Sequence, residues 1–174
     1  MELLETMRRR RSIRKYTDEP VEKEVLNQIL QAGLLSASSR TRRPWEFIAV
    51  TDRETLKLMS KCRAGAAKML ENAACAVVVI ANPEITDVWT EDCSIAMTNM
   101  HLMASSLGVG SCWIQGRLRE TPDGGTTEAF LRSILKYPEG YKLEAILSLG
   151  MPDEQKDAYE LDELPIDKVH WEQF

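Results

Sequence analysis

After Glu22 the apolar positions Leu26, Ile29, Leu30, Gly33 and Leu34 fall at helical spacing, which predicts a helix entered just beyond Pro20. A shorter helix is predicted over about Glu2 to Arg9. Past the polar loop "SASSRTRRP", the run "WEFIAVT" is rich in aromatic and β-branched residues and predicts a strand. A helix follows from about Arg53, broken near Arg63 to Gly65 and resuming to about Asn72. "ACAVVVIA" is apolar throughout and of strand length, the pattern of a strand covered on both faces. Glu91 to Leu107 is apolar around most of a helix's circumference (Ile95, Ala96, Met97, Met100, Leu102, Met103, Ala104, Leu107), which puts it at the centre of a fold or of a dimer. Glu91 and Asp92 suit its N-terminal dipole and Gly108 its stop. "GSCWIQ" predicts a strand, "PDGG" a turn, Thr127 to Lys136 a helix, and "YKLEAILSLG" a last strand with alternating apolar positions. This order predicts an α+β fold, one sheet with helices around it.

Composition leaves that picture intact. At 174 residues, 44% apolar and 28% charged, the chain has the balance of one globular domain. No apolar run approaches the roughly 20 residues that a membrane-spanning helix needs. "MELLETMRRR" puts its charges after a short apolar stretch, the reverse of a secretory leader, so a cytoplasmic protein is expected. Cys62, Cys75, Cys93 and Cys112 are too widely spaced for a metal or redox pair and are expected to be buried free thiols. His101 and His170 lie far apart and outside any HExxH context, so no metal site is expected. From Met151 onward eight acids stand against two lysines, yet the tail carries Trp171 and Phe174, which a purely solvated segment would not need.

Charge does change the picture. The net charge is −5, but "RRRRSIRKY" at positions 8 to 16 gathers six basic side chains. The chain has no Walker sequence, and "GVGSCW" lacks the third glycine of a dinucleotide fingerprint. Phosphate capture without a glycine loop needs guanidinium forks and hydroxyls, which these arginines and Ser12 supply. A nucleic-acid-binding arm is the obvious rival, yet the chain is acidic overall and lacks aromatics interleaved with the basic residues. A solvated face fits the same charges. Composition leaves these alternatives open.

Four stretches in order, "RRRRSIRKYTDEPV", "SASSRTRRPWEFIAV", "LGVGSCWIQGR" and "LSLGMPDE", make the chain resemble the nitroreductase family of FMN-dependent oxidoreductases, especially its short bacterial and archaeal members, over about residues 5 to 155. The resemblance implies a nitroreductase-like fold, a central mixed sheet flanked by helices in an intertwined homodimer. Residues 1–174 would form one FMN-binding domain, with about 151–174 an extension packing on the partner subunit. It implies an FMN-dependent NAD(P)H oxidoreductase that carries hydride through flavin N5, by a ping-pong route, to a nitroaromatic, quinone or similar small-molecule acceptor. NADH or NADPH would be the donor, and neither nucleic acid nor membrane a partner. The flavin would carry the chemistry, so no catalytic acid–base pair is required of the protein.

The same resemblance places residues. Arg10 and Ser12, with Arg11 beside them, would grip the flavin phosphate and ribityl oxygens, and Arg14 would lie against the pyrimidine edge. A loop containing Ala37, Ser38, Ser39, Thr41, Pro44 and Trp45 would reach the flavin from the partner subunit. Trp113, Ile114, Gln115 and Gly116 would lie against the other flavin face, with a backbone N–H near Gln115 and Gly116 directed at N5. The chain departs from the family pattern at Ala37, Thr41 and Arg43, which stand for a proline, an asparagine and a glutamine. Only Lys156 stands where many members place several basic residues after the last strand. The alternatives are the same fold with other flavin chemistry (dehydrogenase, dehalogenase or flavin handling), or a non-enzymatic nucleic-acid-binding protein using Arg8 to Arg14.

Overall fold

The computed structural model describes residues 2–174. Four strands, β1 (Trp45–Val50), β2 (Cys75–Ala81), β3 (Gly110–Gln115) and β4 (Lys142–Gly150), form one sheet in the spatial order β1-β2-β4-β3. Five α-helices accompany it: α1 (Leu3–Arg9), α2 (Lys23–Leu34), α3 (Arg53–Met59), α4 (Trp89–Ser106) and α5 (Thr127–Leu135). The α+β architecture is as expected, but the sheet is not mixed. All three strand pairings are antiparallel. The parallel contact is an isolated bridge, Ser12 to Ser111, where the N-terminal segment runs beside β3.

β2 shows why the apolar run "ACAVVVIA" is continuous. Cys75, Val77, Val79 and Ala81 enter the core that also takes Leu26 and Ile29 from α2 and Met97 and Met100 from α4. Ala76, Val78 and Ile80 enter the core on the other face, with Leu56 and Met59 of α3 and Leu131 of α5. The sheet is thus the middle of three layers, and each fully buried aliphatic side chain contributes about 1.5–3 kcal/mol over leaving it exposed. The same position overturns the alternation expected of the last strand. β4 lies between β2 and β3 under both layers, so every residue but Lys142 is buried. Its pairing with β2 steps from Val79–Ala145 to Ile80–Leu143, leaving Glu144 as the extra residue of a bulge.

The helix ends follow local chemistry. Asp52 accepts from Thr55 N–H (2.8 Å) to start α3, and Thr126 Oγ1 accepts from Ala129 N–H (3.1 Å) to start α5. The stretch expected to resume the helix after Gly65 is a 3-10 turn over Lys68–Asn72. All four cysteines are free and buried, and burial pushes the thiols of Cys62, Cys75 and Cys93 up to about 12. No helix among the described residues is long and apolar enough to cross a membrane.

α4 is only partly covered by its own chain. Cys93, Ala96, Met97, Met100 and Ala104 are buried, while Ile95 stays 42% exposed. The expected extension from about 151 divides in two. Residues 151–159 are tied to the N-terminal segment, since Met151 and Lys15 carbonyls accept from Thr17 and Asp153 N–H (both 2.9 Å) and Tyr159 N–H donates to Arg8 O (3.1 Å). From Glu160 on, every residue is exposed, including Leu161, Ile166, Trp171 and Phe174.

Candidate active site at the open edge of β3

The basic stretch splits into two groups with different fates. Arg8 and Arg9 belong to α1 and both pair with Glu5, the former at 2.9 Å, and the two guanidinium groups pull the Glu5 carboxyl down to about 2. Both share the one carboxylate of their own helix, and Arg8 Nη1 also lies 3.7 Å from Glu160 Oε2. Arg10, Arg11 and Arg14 follow the helix and pair with no carboxylate among the described residues. Arg11 lies over the Tyr159 ring, its Cζ 4.4 Å from the centroid, and donates to Asp157 O. Arg14 is exposed, with its backbone N–H held by Glu154 and its guanidinium 3.4 Å from Ser12 O.

Two glycines seat this segment. Gly110 and Gly150 face each other across β3 and β4. A Cβ on Gly110 would meet Ile13 Cγ2 at 2.8 Å, and one on Gly150 would meet the Tyr16 ring at 2.7 Å. Ile13 and Tyr16 therefore lie on bare backbone. Ile13 N–H donates to Ser111 O (3.0 Å), and the Tyr16 hydroxyl donates to Ile13 O (2.7 Å) while sitting 2.7 Å from Ser148 Oγ. These contacts fix where residues 10–14 emerge. Gly150→Ala should lift Tyr16 at the root of its ring, where the side chain cannot swing away, and overpacking of this kind costs about 1–3 kcal/mol. Thermal denaturation checks it: an unchanged melting temperature would mean the glycine seat is not required.

Behind the segment, Arg10 Nη1 lies 2.8 Å from His101 Nε2, and His101 Nδ1 lies 2.6 Å from Ser111 Oγ. His101 is 7% exposed, and burial together with the Arg10 charge lowers its pKa to about 4. Lys156 Nζ donates to Ser12 O (2.7 Å), so the lysine that follows the last strand most closely does reach the segment. A cavity of about 260 Å³ opens here, lined by Arg9, Arg11, Gly110, Ser111, Lys156 and neighbours.

The far end of β3 is prepared differently. Gly116 and Arg117 N–H both donate to Glu144 O, at 3.1 and 2.9 Å, so these amides are committed to β4. Backbone direction alternates along a strand. With Gly116 turned inward, Gln115, Trp113 and Ser111 turn outward, as the Ser111 carbonyl shows by accepting from Ile13. β3 is an edge strand, so the Gln115 N–H points away from the sheet. Of the two residues expected to offer a backbone donor, Gln115 has it free and Gly116 does not. The Gln115 side chain accepts from Trp113 Nε1 (2.9 Å), and Arg63 donates to Gln115 O (3.3 Å). Gly116 itself is forced, because a Cβ would lie 2.5 Å from Leu143 Cδ2. A second cavity, about 530 Å³, begins at Gly116 and runs past Trp89, Arg117 and Leu118.

The serine loop lies elsewhere. Ser39 N–H donates to Asp92 Oδ1 (2.8 Å) at the first turn of α4, and Ser38 Oγ accepts from Arg43 N–H (3.0 Å). Arg40, Thr41 and Arg43 all have positive φ (50°, 57° and 48°), a conformation costing on the order of 1–3 kcal/mol at each non-glycine residue. Ala37 and Thr41 are exposed and Ser38 and Ser39 half-buried, while Trp45 is buried in the chain's own core and stacks on Phe47. Asp92, which holds the loop, and His101, which holds Arg10, are nine residues apart on one helix, about 13–14 Å of rise. No hydrogen bond or ion pair among the described residues joins Ser38, Ser39 or Thr41 to Arg10, Ser12 or Arg14. The structure thus assembles the basic segment and β3 into one surface and leaves the loop apart.

Sequence reasoning missed three contributors. His101 was weighed only with His170 as a metal ligand, Asp92 was assigned to the helix dipole alone, and Arg63 lay in an apparent break. Such contacts across more than fifty positions leave no periodic trace.

Comparison with known proteins identifies the family. A family model for the nitroreductase family matches residues 7–67 and 56–151. A protein of Archaeoglobus fulgidus, named provisionally as an NADH dehydrogenase/NAD(P)H nitroreductase, is 39% identical and the match covers 99% of each chain. An FMN-dependent nitroreductase from Clostridium difficile R20291 superposes with a TM-score of 0.95 at 47% identity, over 98% of this chain and 99% of that one. The NADPH:FMN oxidoreductase of Vibrio harveyi, solved in complex with NAD+, gives a TM-score of 0.81 at 29% identity, over 99% of this chain and 77% of that one. With the family pattern spanning both the basic segment and the β3 edge, and relatives aligned over nearly their whole length, the chain belongs to the nitroreductase family.

Proposed function

We propose that the chain is an FMN-dependent NAD(P)H oxidoreductase that works as a homodimer and reduces a nitroaromatic, quinone or similar acceptor by a ping-pong route. The observation that carries this reading is the open edge of β3, with uncompensated guanidinium charge and a hydroxyl at its start and an outward backbone N–H at its end. FMN fits that donor set. Arg10, Arg11, Ser12 and Lys156 would hold the phosphate and ribityl oxygens, Arg14 the pyrimidine edge, and the Gln115 N–H the ring nitrogen N5. A cofactor carrying both a dianion and a planar ring needs these two kinds of donor on one surface. The names of the Clostridium difficile and Vibrio harveyi relatives support FMN and a nicotinamide donor.

When bound, FMN would supply the redox chemistry, hydride transfer between a nicotinamide donor and the acceptor. The chain's own residues bind and orient. Gly116 brings backbone close where a side chain would collide with Leu143, and Arg63 and Trp113 hold the Gln115 peptide and side chain so that its N–H keeps one direction. No side chain here needs to move a proton to a substrate atom.

The dimer reading rests on three features of one chain. The serine loop stands apart from the arginines, Ile95 and Leu35 are exposed on α4 and beyond α2, and residues 160–174 are exposed throughout. A second copy would bring its Ser38, Ser39 and Thr41 to this chain's Arg10 and Ser12 and would give the tail an apolar surface. Obligate interfaces of this kind bury about 2,000 Å² or more. The test is anaerobic reduction of the FMN-loaded protein by NADH or NADPH, followed by a panel of acceptors. Parallel initial-rate lines are expected for the ping-pong route.

A further inference from the structure

We propose that His101 is a positioning residue for the cofactor's phosphate. It holds Arg10 in a fixed orientation without neutralising its charge, and the proposal rests on the FMN reading above. A guanidinium carries five N–H donors and no acceptor. The 2.8 Å contact from Arg10 Nη1 therefore requires the lone pair on His101 Nε2. The ring proton then sits on Nδ1, where it donates to Ser111 Oγ at 2.6 Å. One geometry fixes the tautomer, and both ring nitrogens are used.

The choice of histidine has a consequence for binding. A carboxylate at this position would pair with Arg10 and cancel the charge a phosphate needs. A neutral imidazole orients the guanidinium and leaves its full charge available. Burial keeps the ring neutral, with His101 7% exposed and Ser111 2% exposed. The ring also ties the N-terminal segment to both elements behind it, since Arg10 meets His101 of α4 and His101 meets Ser111 of β3. Pre-orientation of a long, rotamer-rich arginine removes an ordering cost that FMN binding would otherwise bear.

Titration of the apo-protein with FMN, on wild type and three variants, tests the proposal. His101→Leu removes the acceptor and should weaken FMN about tenfold, the effect of one lost hydrogen bond to a charged group. His101→Gln keeps an acceptor oxygen and should restore affinity to near wild type. His101→Glu neutralises Arg10 and should bind more weakly than His101→Leu. In an Arg10→Ala background, His101→Leu should have no further effect, because its target is gone. Side-chain nitrogen NMR of the apo-protein at neutral pH should show the Nδ1–H tautomer, a readout independent of turnover. Three results would each overturn the proposal: wild-type FMN affinity in His101→Leu, an equal further loss in the Arg10→Ala background, or an Nε2–H tautomer. Failure of the wild type to bind FMN at all removes the underlying reading and this proposal with it. Binding by the wild type with an indifferent His101→Leu removes the proposal alone.

Discussion

Mixing a Ser39→Tyr chain with an Arg10→Ala chain should restore activity that neither variant shows by itself. The expectation follows from the separation of the two groups along α4, with Ser39 on Asp92 at one end and Arg10 on His101 further along. If each site takes Arg10 from one protomer and Ser39 from the other, a mixed dimer has one site with both lesions and one with neither. Random pairing then gives about a quarter of the wild-type sites. The assay is run at an FMN concentration that saturates the wild type but not Arg10→Ala. Tyrosine at position 39 adds a ring to a half-buried loop whose backbone is already held in left-handed geometry at Arg40 and Thr41. No recovery after subunit exchange would mean that each chain builds its own site, and a monomeric active protein in light scattering would say the same.

Arg10→Ala alone should weaken FMN by roughly tenfold to a hundredfold, since hydrogen bonds to charged groups contribute about 1.5–3 kcal/mol each. The neighbours supply the control. Arg8 and Arg9 are already paired with Glu5, so Arg8→Ala and Arg9→Ala should leave FMN affinity nearly unchanged. FMN titration by quenching of flavin fluorescence measures all three. Equal effects at positions 8, 9 and 10 would mean that the segment acts through diffuse charge, and no effect at position 10 would mean that its guanidinium faces only the protein.

This contrast marks what the sequence makes legible. The elements were readable because burial imposes period: the run Cys75–Ala81 is apolar on both faces of β2, and the spacing of Leu26 and Ile29 gives α2. The alternation expected of β4 was wrong because strand order is not written locally. A strand between β2 and β3 must be apolar on both sides, and Glu144 enters as a bulge residue that no two-residue period describes. The mixed sheet implied by resemblance gave way, within one chain, to antiparallel pairing with a single parallel bridge at Ser12.

The site followed the same division. The cluster Arg8 to Arg14 was visible as charge, but not its split into paired Arg8 and Arg9 and unpaired Arg10, Arg11 and Arg14, which depends on Glu5 lying one turn away on α1. The choice between Gln115 and Gly116 as the outward donor depends on strand pairing, and Gly116 is fixed by contact with Leu143 of the neighbouring strand. His101 reaches Arg10 across 91 positions of sequence. Local pattern carries the elements, and packing carries the partners.

The most direct measurement of the central claim is the absorbance spectrum of the protein reconstituted with FMN, recorded anaerobically before and after adding NADH or NADPH. The account predicts flavin absorbance that stays with the protein through gel filtration, bleaches with at least one nicotinamide donor, and returns when a quinone or nitroaromatic is added. A protein that leaves gel filtration colourless, or whose bound flavin neither donor bleaches, would contradict it.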